Sequence, residues 1–493
     1  MSVRPTTGQQ WEYPGFGVPG RDGVIHAWYG IGQSLVMLPA DMVAAAVERF
    51  AKPEWKPQIQ SGVVATLTFP ALNAATIVLV VLWLGQLGFS LRERLSGGLS
   101  LLVGTSFLHY SQVHMENSLQ TFLMFADAFL LWKWLKTERT GWLAAAAATV
   151  GFAMLVRLPS LAEHFGLWLA VLWLLAAPTS PGAGWLRGLR LGRLLAVALP
   201  VVLAGALADR LYHFHRFGRW SGTYIQEYAA DWHRWHPDGP ADYPFSGNFW
   251  EGFLGPFISP DRSVFLLDPL IWLLAGVCLM RWRHIPAHIK AVLASGGIAA
   301  LLLVIFYAKC DFWDGAGSWG NRYTLTPFHL LLSLAVPLWW RTVRAEVALW
   351  ARITSAAVVA VAVVIQILSL LLNPAVDASI ETRTGKRANA VALRLQNAVA
   401  LFAGEPAPPG VYPAMWRINL APARLGNGSP VRLAISWLLW LLGVVFAWRL
   451  GRKLWETASM NPAIAPPKPA LAVGDEPDSS PASGLNPDVH ERK

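Results

Sequence analysis

Apolar runs close to the length needed to cross a bilayer recur along nearly the whole chain, and that recurrence limits the fold more than any other feature. They fall at roughly 62–89, 96–113, 117–135, 141–156, 160–177, 193–211, 264–281, 288–308, 326–341, 346–372 and 432–450. A helix needs about 20 apolar residues to cross the hydrocarbon layer, whereas a membrane barrel shows alternating segments of about 10. The runs here are continuous. The expected fold is therefore an all-α polytopic membrane protein of about eleven transmembrane helices. Composition agrees: 54% of residues are hydrophobic and 14% charged, against about 25% charged in a soluble domain.

The basic residues sit at the ends of the runs. Arg92 and Arg94 follow the first, and Lys136 and Arg139 the third. Arg187, Arg190 and Arg193 precede the sixth; Arg281, Arg283 and Lys290 follow the seventh. Arg341 and Arg344 follow the ninth; Arg449, Arg452 and Lys453 follow the last. If the spans alternate, all of these fall on one side, and the positive-inside rule makes that side cytoplasmic. The net charge of +10 is then a topology signal, and no nucleic-acid partner is expected. The opposite side receives residues 1–61, the turns around His114–Glu116 and Arg157, and three outer loops, 212–262, 309–326 and 373–431.

Residues 1–61 form an extracytoplasmic N-terminal segment. Positions 26–50 are apolar but interrupted by Gly30, Gly32, Pro39, Asp41 and Glu48, and are expected to be interfacial helices. This topology leaves the N-terminus outside with no span to carry it there. Either it crosses unaided, or an earlier helix belongs to the chain and the spans number about twelve. Residues 62–450 form the transmembrane domain, and the proline-rich stretch 451–493 reads as a disordered cytoplasmic tail. Cys278 and Cys310 fall on opposite sides, so no disulfide is expected.

Several residues carry possible chemistry. The loop Asp311–Pro327 offers Asp311 and Asp314, one guanidinium at Arg322, glycines, and rings that include Trp319. That kit suits a phosphate and a sugar, and equally a solvated hairpin. Loop 212–262 carries His213, His215, His233 and His236 with Trp220, Trp232 and Trp235. Its histidine spacing allows a metal, and its rings allow stacking on a sugar or prenyl chain. Arg157, in Leu-Val-Arg-Leu-Pro between two apolar runs, is a functional-site candidate or a snorkelling arginine. Asp127, in mid-span, reads as one side of an inter-helical hydrogen bond. His114 and Glu116 read as a metal ligand, a base or a polar cap.

Four segments together resemble the GT-C superfamily of membrane glycosyltransferases, in particular its bacterial protein-mannosyltransferase-like and aminoarabinose-transferase-like members. They are Gly20-Arg21-Asp22-Gly23 followed by Trp28-Tyr29-Gly30 and Pro39; Phe217-Gly218-Arg219-Trp220-Ser221-Gly222-Thr223-Tyr224; Gly255-Pro256-Phe257-Ile258-Ser259-Pro260 with Asp268-Pro269; and Trp313-Asp314-Gly315 through Trp319-Gly320-Asn321-Arg322-Tyr323. Their order and spacing over residues 20–345 carry the resemblance; residues 346–493 add only topology. Asp261 and Asp268 stand where the family pattern has glycine and a small residue.

The resemblance implies transfer of a sugar from a polyprenyl-phosphate donor to a lipid, glycan or protein acceptor, on the periplasmic face of a bacterial inner membrane. It implies Arg157 and Arg322 as phosphate contacts, with Asp311, Glu116, Tyr224 and Trp319 as further substrate contacts. It implies Asp22 or Asp314 as the catalytic carboxylate, and leaves a divalent metal open. The family's catalytic aspartate usually follows a first transmembrane helix that this sequence does not show; Asp22 and Glu12 are the substitutes. The rival reading is a non-enzymatic polytopic protein or a transporter or flippase of lipid-linked saccharide. A transporter is expected to show broken spans at matching positions of two halves, and no internal repeat is visible.

Overall fold

The computed structural model describes residues 18–26, 30–53, 56–113, 115–176, 184–315, 318–342, 348–373 and 387–409, with scattered positions between and beyond them. The expected span 432–450 and tail 451–493 lie mostly outside the described residues, as do Glu12, Trp28, Tyr29 and His114. A two-stranded hairpin, β1 (Val18–Pro19) and β2 (Ile25–His26), is followed by helices throughout. These are α1 (Gly32–Glu48), α2 (Lys56–Gln86), α3 (Leu91–Gly104), α4 (Phe107–Tyr110), α5 (Glu116–Thr137), α6 (Thr140–Val156) and α7 (Ser160–Ala176). Next come α8 (Gly184–Phe217), α9 (Tyr224–Trp235), α10 (Phe249–Ile258), α11 (Val264–Leu267) and α12 (Leu270–Arg281). The last are α13 (Ala287–Tyr307), α14 (Leu325–Leu332), α15 (Ala335–Thr342), α16 (Leu349–Leu371) and α17 (Ala390–Phe402).

Among the described residues, four helical segments are long and apolar enough to cross a membrane: Ile59–Gln86, Arg190–Phe217, Ala287–Tyr307 and Leu349–Leu371. The helix expected over 26–50 is α1, which lies along the first half of α2 and is tied to it by Gln60, whose amide donates to Asp41 at 2.7 Å.

Three expected spans are broken, each for a visible reason. The run 326–341 splits into α14 and α15 at Ser333–Leu334. Pro337 has no N–H for the carbonyl of Ser333, four residues back, and its ring crowds that carbonyl. The run 264–281 splits at Asp268–Pro269. Pro269 likewise frees the carbonyl of Phe265, which instead accepts the indole N–H of Trp272 at 3.0 Å. The run 96–113 breaks at Thr105 and Ser106. There the Ser106 N–H donates to Asp268 Oδ1 at 2.6 Å and its hydroxyl to Oδ2 at 2.9 Å. His329 Nε2 approaches the same hydroxyl at 3.1 Å. The carboxylate at one break thus satisfies the N–H freed at another, as an apolar interior requires. Loop 212–262 holds α9 and α10, and loop 373–431 holds α17.

Small residues set the close crossings. A Cβ on Gly205 of α8 would stand 2.4 Å from Cα of Gly151 on α6, and one on Gly166 of α7 would stand 2.6 Å from the Ser295 carbonyl on α13. Glycine and alanine let helix backbones touch where lipid gives no hydrophobic drive for association. Between α2 and α5, Trp83 packs edge to face with Phe125 and Trp132, with ring centroids 5.7 and 6.4 Å apart. At the end expected to be cytoplasmic, Arg341 donates to the Gly88 carbonyl at 2.7 Å and to Glu93 at 2.9 Å. Its guanidinium lies 3.9 Å over the Phe89 ring, clamping α15 to the α2–α3 turn.

Gly205→Leu will overpack the α6–α8 crossing and cost about 1–3 kcal/mol. Gly192→Leu, on the same helix but facing open space, will cost little. Thermal midpoints of the two purified variants in one detergent will check this; equal midpoints would remove the crossing as a determinant.

Candidate functional site

α6 stops because Pro159 disfavours the helical conformation for Leu158. Arg157 is the residue after the helix, with extended backbone (φ −161°, ψ 121°), and its N–H still reaches the Ala153 carbonyl at 2.8 Å. The side chain turns inward and is only 6% exposed. Its Nη2 donates to the Tyr307 hydroxyl at 2.6 Å. Its guanidinium lies 4.5 Å from the Tyr323 ring centroid and 5.4 Å from that of Tyr307. Those two rings are stacked at 4.4 Å. Tyr224, the first residue of α9, hydrogen-bonds the same guanidinium, and burial pushes its phenol up to about 12. The phenols lend hydrogen bonds and π-faces without adding charge. The carboxylate of Glu116 stands 3.9 Å from Arg157 Nη1.

Arg322 reaches the same tyrosine from the loop after α13. Its Nη2 donates to the Tyr323 hydroxyl at 3.1 Å and its guanidinium lies 5.1 Å from the Tyr323 ring centroid. The Asn117 amide holds its carbonyl at 2.8 Å. Arg157 and Arg322 therefore flank one tyrosine, although 165 positions separate them in sequence. The turn before Arg322 depends on Gly315 (φ +82°), where a Cβ would lie 2.7 Å from Arg322 Cγ.

The remaining sequence candidates are held by other partners. Asp311 Oδ2 accepts the Ser246 hydroxyl at 2.5 Å and its N–H at 3.3 Å, fastening the loop before α10. Asp314 joins a charged cluster: Arg387 Nη1 lies 3.1 Å from Asp314 Oδ2 and 3.0 Å from Asp261 Oδ2, and Nη2 lies 3.2 Å from Glu251. Burial works against the charge of Arg387, but Asp261 and Asp314 outweigh it and hold the guanidinium above its usual range. Trp319 is buried; its carbonyl accepts the Tyr110 hydroxyl at 3.0 Å, and the Arg394 guanidinium lies 5.1 Å from its ring. Asp22 sits in the β1–β2 turn, where it accepts the Val24 N–H at 3.0 Å and faces His26 at 3.1 Å. The Val24 N–H holds its carboxyl below the usual range.

Both faces of Trp232 are covered, by His236 at 4.3 Å and Tyr243 at 3.8 Å, so this ring offers no platform to a sugar. Among the described residues no three His, Cys, Asp or Glu side chains stand close enough to hold a metal ion. Sequence reasoning missed Tyr307, Glu163 and Arg387. Tyr307 closes an apolar run and reads as part of it, Glu163 sits one helical turn inside another, and Arg387 belongs to a loop with no motif. Tyr323 was within reach, as the neighbour of Arg322.

Cys310, in the loop after α13, is free and buried, and burial pushes its thiol up to about 12. A thiol is reactive as thiolate, so Cys310 will resist alkylation in the folded protein through pH 9 and react on unfolding. The neighbouring exposed position in Lys309→Cys will be labelled by a membrane-impermeant maleimide added outside intact cells. Labelling only after permeabilisation would reverse the expected orientation.

Comparison of the chain with protein-family models, with curated proteins and with solved structures returns no match.

Proposed function

We propose that this chain is a membrane glycosyltransferase of the GT-C type, using a polyprenyl-phosphate-linked sugar as donor and a lipid, glycan or protein hydroxyl as acceptor. In this reading it has about eleven spans in a bacterial inner membrane, with its site on the periplasmic face and its C-terminus in the cytoplasm. One observation supports the reading above the others: Arg157 and Arg322, distant in sequence, converge on Tyr323 beside Glu116 and Tyr224. Two guanidiniums with fixed donors suit a phosphate that gains charge as the glycosidic bond breaks.

The step divides among these groups as follows. Arg157, aimed by Tyr307 and Tyr224, and Arg322, aimed by Tyr323, hold the donor phosphate and stabilise it as it departs. Glu116 is the carboxylate nearest Arg157 with some exposure, and takes the proton of the acceptor hydroxyl. Asp314 orients the sugar when Arg387 shares its hold with Asp261 and Glu251.

Transfer of radiolabel from polyprenyl-phosphate sugars in membranes tests this. Arg157→Ala and Arg322→Ala will each lower the rate by about 10²–10³-fold, the usual loss for one charge-stabilising donor. Glu116→Gln will lower kcat with little change in KM. Variants that transfer label as fast as the unaltered protein would exclude these roles. An unaltered protein inert toward every donor, while correctly folded, would sink the transferase reading.

A further inference from the structure

Near Arg157 a second set of ionisable groups lies inside the bundle. Asp127 stands eleven residues into α5, about 16 Å along the helix from Glu116. It is 0% exposed, as is His164 on α7, and Glu163 is 3% exposed. His164 Nδ1 lies 2.7 Å from Asp127 Oδ2, and the Trp168 indole, one turn further along α7, donates to the same oxygen at 3.1 Å. Glu163 hydrogen-bonds Thr326 of α14 and lies in the fields of Arg157, His164 and Glu116.

Much of the hydrogen-bonding capacity here is unused by the protein. Asp127 Oδ1, His164 Nε2, Glu163 Oε2 and the hydroxyls of Ser160 and Ser295 have no partner. Such groups are rarely left bare in a folded interior, and ionisable groups inside a membrane bundle are functional-site candidates by default, proton relays among them. Charge points the same way. With His164 neutral and the carboxylates ionised, Asp127 is met by the uncharged His164 and Trp168, while Glu163 and Glu116 share Arg157, with Arg322 beyond it at Tyr323. The other charged groups on the packed elements lie at helix ends: Lys133 and Lys136 on α5, Lys290 and His288 on α13, and Arg190, Arg193, Asp209 and Arg210 on α8; His329 on α14 faces Thr121 and Ser106. A buried net negative charge is costly and is relieved by taking up a proton.

We propose that Asp127, His164 and Glu163 form an internal proton-binding site, solvated by water and exchanging its proton toward Arg157 through Glu163. No covalent step is involved: the proton adds to the carboxylate–imidazole pair and leaves again. Because Glu163 lies in the field of Arg157 and of His164, an anion arriving at Arg157 raises the affinity for the proton, and proton uptake raises the affinity for the anion, by the same factor.

Two measurements on the purified full-length chain test this. The first needs no ligand: an infrared titration will show a carboxylic-acid C=O band growing as pH falls, lost in Asp127→Asn and shifted in His164→Gln. The second rests on Arg157 as an anion site: calorimetric titration with dihexadecyl phosphate, which keeps one charge throughout, in buffers of different ionisation enthalpy. The unaltered protein will take up protons on binding. Asp127→Asn and Glu163→Gln will still bind and lose that uptake. If Asp127→Asn fails to fold, His164→Gln and Glu163→Gln carry the same readouts. No titrating band in the folded protein, or a band unchanged in every variant, overturns the proposal. If dihexadecyl phosphate does not bind while the band is present, the anion role of Arg157 fails and the proton site stands. Binding with equal proton uptake in all variants overturns the coupling.

Discussion

The contact on which the end of the bundle with Arg157 depends is that between Arg157 and the stacked pair Tyr307 and Tyr323. A guanidinium is costly to bury without donors and acceptors arranged around it. Here the cost is offset by one short hydrogen bond, two aromatic faces and a nearby carboxylate. Each comes from a different element: α13 supplies Tyr307, the following loop Tyr323, α9 Tyr224 and α5 Glu116. Placing Arg157 therefore fixes the relative position of five segments at once, and Arg322 is positioned as a consequence because it shares Tyr323.

Arginines recur as clamps away from this centre. Arg341 joins α15 to the α2–α3 turn. Arg394 is fully buried and pairs with Asp377 while lying over Trp319. Arg387 draws three carboxylates from three segments together. Each uses the planar fork of the side chain to bind several partners, which a lysine cannot copy. Arg394 and Arg387 together tie α17 and the residues before it to the loop that carries Asp314 and Trp319.

The helical character of the chain was legible because continuous apolar runs admit few other outcomes in a bilayer. A helix within 26–50 was legible, and it forms as Gly32–Glu48. The breaks were written at Pro269 and Pro337, yet hydropathy alone reads through them, because one proline barely changes the average over a span. The α3–α4 break was not legible, since the partner that stabilises it, Asp268, lies 162 residues away. For the site, Arg157 and Arg322 stood out as cations in unusual surroundings. That they meet at one tyrosine could not be read, because sequence carries no distance between α6 and the loop after α13. The rings of loop 212–262 suggested stacking, and only the structure shows that Trp232 has no free face.

The sequence by itself determined that this chain is helical, apolar and charge-sorted, because hydrogen-bond satisfaction in lipid and the cost of burying charge act locally on each segment. Tertiary structure decided which polar groups meet. Asp127 with His164, Arg157 with Tyr307, and Ser106 with Asp268 are each pairings between helices whose registers are set by glycine crossings and by the total packing of the bundle, and no single segment holds that information.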